Sequence, residues 1–204
     1  MTEWDKMISG QIYNANHPEL IKKRHIAHQL CQKYNRIDDK KTKKRDKIIN
    51  QLLPNHKEGL YLQGPIYFDY GVLTTFGKNC YANFNLTILD VCPVTIGDNV
   101  FFGPNVSLLT PLHPLCYEDR NAYFDKELGY VTDKEYASPI SIGDNCWIAG
   151  GVTICGGVTI GSGTVIGAGS VVTKDIPSHV LAFGVPCKVQ REITEKDLLK
   201  NKKN

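Results

Sequence analysis

No stretch of the chain approaches the roughly 18–20 consecutive apolar residues that a membrane-spanning helix needs. The first ten residues carry Glu3, Trp4, Asp5 and Lys6, with no basic segment followed by an apolar one. Together these absences point to a soluble, cytoplasmic protein with no membrane partner. Cysteine is present in no useful pattern: the seven are odd in number, widely spaced and include no C-x-x-C pair, against both a disulfide framework and a zinc knuckle. Both glycine-rich nucleotide motifs are missing too. Gly161-Ser162-Gly163-Thr164-Val165-Ile166-Gly167 has the wrong spacing for G-x-G-x-x-G, and no G-x-x-x-x-G-K-[ST] occurs. A basic run from Asp38 to Lys47 lacks interleaved aromatics and any reading motif, so it is expected to be a solvated loop and helix face, with no nucleic-acid partner.

What the chain does have is glycine in one place. Nine of its eighteen glycines fall between Gly143 and Gly169, where an even spread would put two or so. The window repeats with period six. Ile142, Ile148, Ile154, Ile160, Ile166 and Val172 recur without a gap, each followed by a small residue or Thr, and Cys146, Val152, Val158, Thr164, Ser170 and Ile176 follow four residues after each. Ile96, Phe102 and Leu108 extend the pattern upstream, and a looser run begins at Tyr70 and Phe76. A six-residue period predicts a flat-sided solenoid with one short strand and one tight turn per repeat, three repeats closing a coil. Glycine after the apolar position is expected to make the turn by accepting positive φ.

The repeat breaks between Leu108 and Ile142, which predicts a loop protruding over 110–139 and opening with Thr110-Pro111-Leu112-His113-Pro114. Ahead of the solenoid, apolar spacing predicts three short helices. Trp4, Met7, Ile8 and Ile12 mark the first. Pro18 opens the second, which runs to the polar break at 35–39, and Ile48, Ile49, Leu52 and Leu53 mark a third, stopped by Pro54. The expected organisation is a helical cap (1–58), a solenoid (59–190) and a charged tail (191–204) that is helical from about Thr194.

These residues resemble the galactoside/maltose O-acetyltransferase group of the hexapeptide-repeat acyltransferases. The resemblance rests on Met7-Ile8-Ser9-Gly10-Gln11-Ile12-Tyr13, Tyr81-Ala82-Asn83-Phe84-Asn85, His113-Pro114, Ile142-Gly143-Asp144-Asn145-Cys146-Trp147-Ile148 and Gly184-Val185-Pro186-Cys187-Lys188. It implies a mainly β, left-handed parallel β-helix, an exception to right-handed crossovers. It also implies a homotrimer with active sites between neighbouring prisms, acetyl-CoA as co-substrate, a sugar-like acceptor and no metal.

Acetyl transfer from a thioester to an alcohol needs a base for a proton of pKa about 16, and a neutral imidazole of pKa ~6.5 suits that at pH 7. His113 matches the family's catalytic histidine. The resemblance implies acceptor contacts from Asp69, Tyr81, Asn83, Asp90 and Arg24, with Glu135 orienting His113 or touching the acceptor. For CoA it implies Trp147, Gly150, Ala168, Thr173, Lys174, Lys188 and Arg191. A backbone N–H near Ala149–Gly150 would hold the developing oxyanion. Direct transfer needs no covalent cysteine. Two departures bear on the acceptor: His17 stands where the family carries Asp, and the loop over 118–136 is long. An amino sugar or xenobiotic acceptor, or a non-catalytic solenoid, are the competing readings.

Overall fold

A computed structural model describes residues 1–201. Short strands stack into three sheets that form the sides of a prism. Face I carries Tyr61–Leu62, Tyr81–Ala82, Phe101–Phe102, Trp147–Ile148, Val165–Ile166, Val180–Gly184 and Cys187–Glu192. Face II carries Ile66–Phe68, Leu86–Leu89, Ser107–Leu109, Thr153–Cys155 and Val171–Val172. Face III carries Thr74–Phe76, Val94–Ile96, Ile140–Ile142 and Thr159–Ile160. The chain visits I, II and III in turn, so residues one coil apart pair in parallel: Ile148 with Ile166, Ile154 with Val172, Ile142 with Ile160. Each apolar hexad position, and the position four residues on, is buried in one continuous core. This is the mainly β, parallel β-helix that the period predicts; within the three faces, among the described residues, only the closing hairpin of face I is antiparallel.

The glycines behave differently from expectation. Directly after the apolar residue, glycine is needed for space and not for φ. A Cβ on Gly97 would stand 2.7 Å from the Asp144 nitrogen and 2.8 Å from the Gly143 carbonyl carbon, because corners of successive coils stack in contact. Positive φ falls two residues later, to asparagine at Asn79 (54°), Asn99 (55°) and Asn145 (58°), and to glycine at Gly151, Gly157, Gly163 and Gly169 in the glycine-rich window. The asparagine side chains form a ladder: Asn79 Nδ2 donates to Asn99 Oδ1 at 3.3 Å, and Asn99 Nδ2 to Asn145 Oδ1 at 3.1 Å.

The register also slips earlier than the loop. From face II to face III the buried positions are eight apart, Phe68 to Phe76 and Ile88 to Ile96, before the spacing returns to six between Ile154 and Ile160. All extra residues, including the protruding loop, therefore leave from one edge of the prism. That edge is tied coil to coil by buried side chains. Asp90 accepts from the Tyr70 N–H at 2.8 Å and the Thr74 hydroxyl at 3.0 Å. Thr110 Oγ1 accepts from the Val91 and Cys92 N–H groups, both at 3.1 Å, and donates to the Leu89 carbonyl at 2.7 Å. Above Thr110 the loop starts as Pro111–Leu112, paired antiparallel with Tyr136–Ala137, and contains a helical turn, Tyr117–Arg120, and a hairpin of Tyr123–Asp125 with Tyr130–Thr132.

Three helices close the N-terminal end: α1 (Glu3–Ile8), α2 (Pro18–Asn35) and α3 (Thr42–Leu52). Thr2 and Asp5 form a capping box on α1, which ends before Ile12; that side chain is exposed, not part of the helix face. Helix α3 begins at Thr42, so half of the basic run is its first turns, and Arg45 is buried rather than solvated. It lies 4.3 Å from the Tyr34 ring and donates to the Gln63 carbonyl at 2.6 Å. Ala27, Cys31, Tyr34, Ile49, Leu52 and Leu53 join the solenoid core, so the cap seals the open end of the first coil. In the tail a strand runs to Glu192, and from Thr194 on it is helical as two 3-10 turns, Glu195–Asp197 and Leu199–Asn201; the rest of the expected tail, 202–204, lies outside the described residues. Among the described residues no helix is long and apolar enough to cross a membrane.

Candidate active site

The three levels of the widened edge, the loop and the cap enclose a cavity of about 460 Å³. Asp69 comes from the first widened corner, Leu89 and Val91 from the second, Pro111 and His113 from the outgoing loop, and Asp133 and Glu135 from its return. Arg24 and His28, one turn apart on α2, form the wall opposite. Four expected site residues, Arg24, Asp69, His113 and Glu135, thus meet in one place.

His113 Nε2 lies 3.8 Å from Glu135 Oε1, ion-pair distance rather than hydrogen-bond distance, and about half of its side chain (47%) is accessible. His28 Nε2 is 3.2 Å from Asp69 Oδ1. Among the described residues, His113, Asp133 and Glu135 are also a group whose donor atoms all lie within 4.8 Å of one another, the residue types that could hold a divalent cation.

Other expected residues lie elsewhere. Asp90 is fully buried behind the wall, its carboxylate engaged by Tyr70 and Thr74, and Val91 lines the cavity in its place; a direct acceptor contact at Asp90 is overturned by its burial. Burial raises the Asp90 pKa to about 6, against the N–H groups of Tyr70 and Gly71 and the Thr74 hydroxyl, which favour the ionised form. Tyr81 stands on face I, stacked on Tyr61 with ring centroids 6.0 Å apart, and Asn83 Oδ1 accepts from the Phe84 N–H at 2.8 Å at the next corner. Neither lines the cavity.

The residues expected to meet CoA are spread over two edges and the end of the prism. Trp147 is 54% exposed on face I. Gly150 and Ala168 occupy successive corners after that face, joined where the Gly169 N–H donates to the Gly150 carbonyl at 2.9 Å. The Ala149 N–H donates to the Ile166 carbonyl at 2.9 Å, so the coil ladder takes it and an oxyanion donor there could only be Gly150. Thr173 and Lys174 follow face II, and Lys188 stands on the closing hairpin. Arg191 is bidentate to Asp197, at 2.8 and 2.7 Å, so its guanidinium fork is already paired.

The buried cysteines offer no activated nucleophile: burial pushes Cys31 up to about 11 and raises Cys80, Cys92 and Cys146, and partial burial raises Cys187 as well.

His28 and Asp133 are cavity residues that the sequence reading passed over. Both carried a signal. His28 is four residues after Arg24 on one helix, and Asp133 two residues before Glu135 on an extended segment, so each pair shares a face.

Comparison with known proteins decides the family. Residues 6–57 match the maltose acetyltransferase hexapeptide capping motif, residues 139–174 the bacterial transferase hexapeptide of six repeats, and residues 93–109 the hexapeptide repeat of succinyl-transferase. The chain is 42% identical over 197 residues to the galactoside O-acetyltransferase of Escherichia coli (strain K12), covering 97% of this chain and 91% of that one. The chain belongs to the hexapeptide-repeat acetyltransferases of the galactoside/maltose group. Two solved members of this group superpose along nearly the whole chain. A maltose O-acetyltransferase from Clostridium difficile 630 has a TM-score of 0.84 at 42% identity, covering 96% of this chain and 99% of that one. A galactoside acetyltransferase in complex with coenzyme A has a TM-score of 0.86 at 40% identity, covering 97% and 94%.

Proposed function

We propose that this acetyltransferase moves an acetyl group from acetyl-CoA to a hydroxyl of a sugar-like acceptor, with His113 as general base. The observation that carries the reading is the cavity itself. A volume of about 460 Å³ suits a small sugar, and Arg24, Asp69, Asp133, Glu135 and two histidines supply the donors and acceptors that a ring of hydroxyls requires. The galactoside and maltose names of the relatives point the same way.

In the reaction, His113 Nε2 takes the proton of the acceptor hydroxyl while its oxygen bonds to the thioester carbonyl carbon. The tetrahedral oxyanion accepts a hydrogen bond from the Gly150 N–H, which the neighbouring subunit supplies. The carbon–sulfur bond then breaks, the imidazolium returns the proton to the leaving thiolate, and CoA thiol and an O-acetyl ester result. Glu135 lies close enough to stabilise the imidazolium by charge. Nothing in this sequence needs a covalent intermediate or a metal.

CoA fits along face I and its corners, and the galactoside acetyltransferase solved in complex with coenzyme A supports CoA as the donor. Trp147 would cover the pantetheine, the backbone at Gly150 and Ala168 would meet its amides, and Thr173, Lys174, Lys188 and Arg191 would line the way to the phosphates, with Arg191 exchanging Asp197 for phosphate. His113 and Trp147 belong to different sides of one prism, so a complete site requires another subunit. Face I provides the contact: Tyr61, Tyr81, Phe101 and Trp147 form an outward aromatic row in register, while the outward row of face III is Thr75, Thr95, Ser141 and Thr159. A homotrimer places one prism's face I beside the next prism's His113 edge.

The test is thiol release from acetyl-CoA with galactosides, glucosides, maltose and amino sugars as acceptors. Acceptor-dependent release that is lost in His113→Ala supports the reading. Turnover with amino sugars alone would move the acceptor class, and no acceptor-dependent release would leave a non-catalytic solenoid.

A further inference from the structure

The strongest unexplained contact in the cavity wall joins the cap to the loop. Tyr13 and Glu135 form an antiparallel bridge: the Tyr13 N–H donates to the Glu135 carbonyl at 2.9 Å, and the Glu135 N–H to the Tyr13 carbonyl at 3.3 Å. Their side chains meet as well, the Tyr13 hydroxyl donating to Glu135 Oε2 at 2.5 Å. The other carboxylate oxygen, Oε1, is the one that faces His113 Nε2 at 3.8 Å. The same two segments are clasped again through the next residue, Asn14: its Nδ2 donates to the Tyr130 hydroxyl at 3.0 Å, and the Thr132 hydroxyl donates to its Oδ1.

We infer that Tyr13 is a positioning residue, whose hydroxyl holds Glu135 by one oxygen so that the other is fixed toward His113. The inference rests on His113 being the base. A free glutamate side chain has three rotatable bonds and would sample solvent and Arg24 across the cavity as alternative directions. One short charge-assisted bond from a buried donor removes that freedom. Tyr13 is only 3% exposed, in a cluster with Met7, Leu20, Tyr70, Val91 and Ala137, so its ring cannot swing away. Burial and the Glu135 charge both raise its pKa, which keeps the phenol protonated and donating.

Tyr13→Phe removes the hydroxyl and keeps the packing. The expected result is a kcat lower by about 10- to 100-fold, the cost typical of a misplaced catalytic group, with KM for acetyl-CoA unchanged. Glu135→Asp, which draws the carboxylate back from the hydroxyl without touching Tyr13, should show the same split. In a Glu135→Gln background Tyr13→Phe should add little, because the two changes break one unit. Leu20→Val is the packing control: it loosens the same cluster, lowers the melting temperature and leaves kcat unchanged. A Tyr13→Phe enzyme within twofold of wild type, while His113→Ala is inactive, overturns the inference and spares the base assignment. A Glu135→Asp enzyme of wild-type kcat overturns it equally, and so does a Leu20→Val enzyme that loses as much kcat as Tyr13→Phe. If His113→Ala keeps its turnover, the base assignment falls and the inference with it.

Discussion

His28 on α2 reaches across to Asp69 on the first widened corner, Nε2 to Oδ1 at 3.2 Å, and so joins the cap to the solenoid at the cavity wall. The pair lines the cavity proposed for the acceptor and lies off the face I row proposed for CoA. Removing the imidazole leaves a carboxylate without its partner, at roughly 1.5 kcal/mol or about tenfold in binding. His28→Ala is therefore expected to raise KM for the acceptor about tenfold and leave KM for acetyl-CoA alone. Steady-state kinetics with each substrate varied in turn checks this; an equal rise in both would place the pair outside the acceptor pocket.

Asp90 gives a pH dependence of stability with a definite sign. Its folded pKa, about 6, is above the unfolded value near 3.9, so the folded state holds the proton more tightly. That contribution is in place below about pH 4 and is lost as pH rises to about 6, amounting to about 3 kcal/mol. Asp90→Asn, which cannot ionise, should lose less stability across the same window. Urea titrations at pH 4.5 and 7 measure the difference, and parallel behaviour of the two proteins would contradict it.

The stacked corners separate two roles that glycine and asparagine share in most turns. Gly97→Ala forces a Cβ against the Asp144 backbone nitrogen and should destabilise by about 3 kcal/mol or more, since corner backbones cannot move apart without breaking the ladder. Asn99→Gly meets the positive φ without strain and should cost at most about 1 kcal/mol for its lost ladder bonds. Thermal unfolding ranks the two; the reverse order would show that φ, not space, decides at these corners.

Phe101 sits in the middle of the exposed aromatic row, between Tyr81 and Trp147. Phe101→Asp puts a charge into any contact made there while leaving the buried core untouched. Sedimentation is expected to show a trimer for the wild-type protein and a monomer for the variant, which keeps its β circular dichroism and loses acetyl transfer. A variant monomer with full activity would mean that each chain carries a complete site.

Much of this architecture was readable from residue order, and the reasons are local. A branched residue every six positions allows only a coil whose side holds two or three inward side chains, so Ile142 to Val172 announce the faces directly. The family motifs brought Arg24, Asp69, His113 and Glu135 to attention, and they share one cavity. Asp90 rests on the family resemblance alone, and a motif match does not say which residue of a widened corner turns inward: one residue of slip exchanges it with Val91, and the carboxylate is buried. Arg45 was misread for a related reason, since nothing in a run of like charges marks which member bends back onto a neighbouring carbonyl. Tyr13 meets Glu135 across 122 positions of sequence, a separation no periodicity spans.

Because each coil pairs only with the coils directly above and below it, length added at the edge between faces II and III does not disturb the rungs. The first two coils carry two extra residues there and the third carries the whole loop, yet Thr74, Val94 and Ile140 still align. The buried ties at Asp90 and Thr110 fix the base of the pocket wall, and the pairing of Pro111–Leu112 with Tyr136–Ala137 fixes the root of the loop. The length of the loop beyond them, over 115–129, is independent of the rungs, so exchanging that stretch is expected to reshape the proposed acceptor pocket and leave the face proposed for CoA as it is.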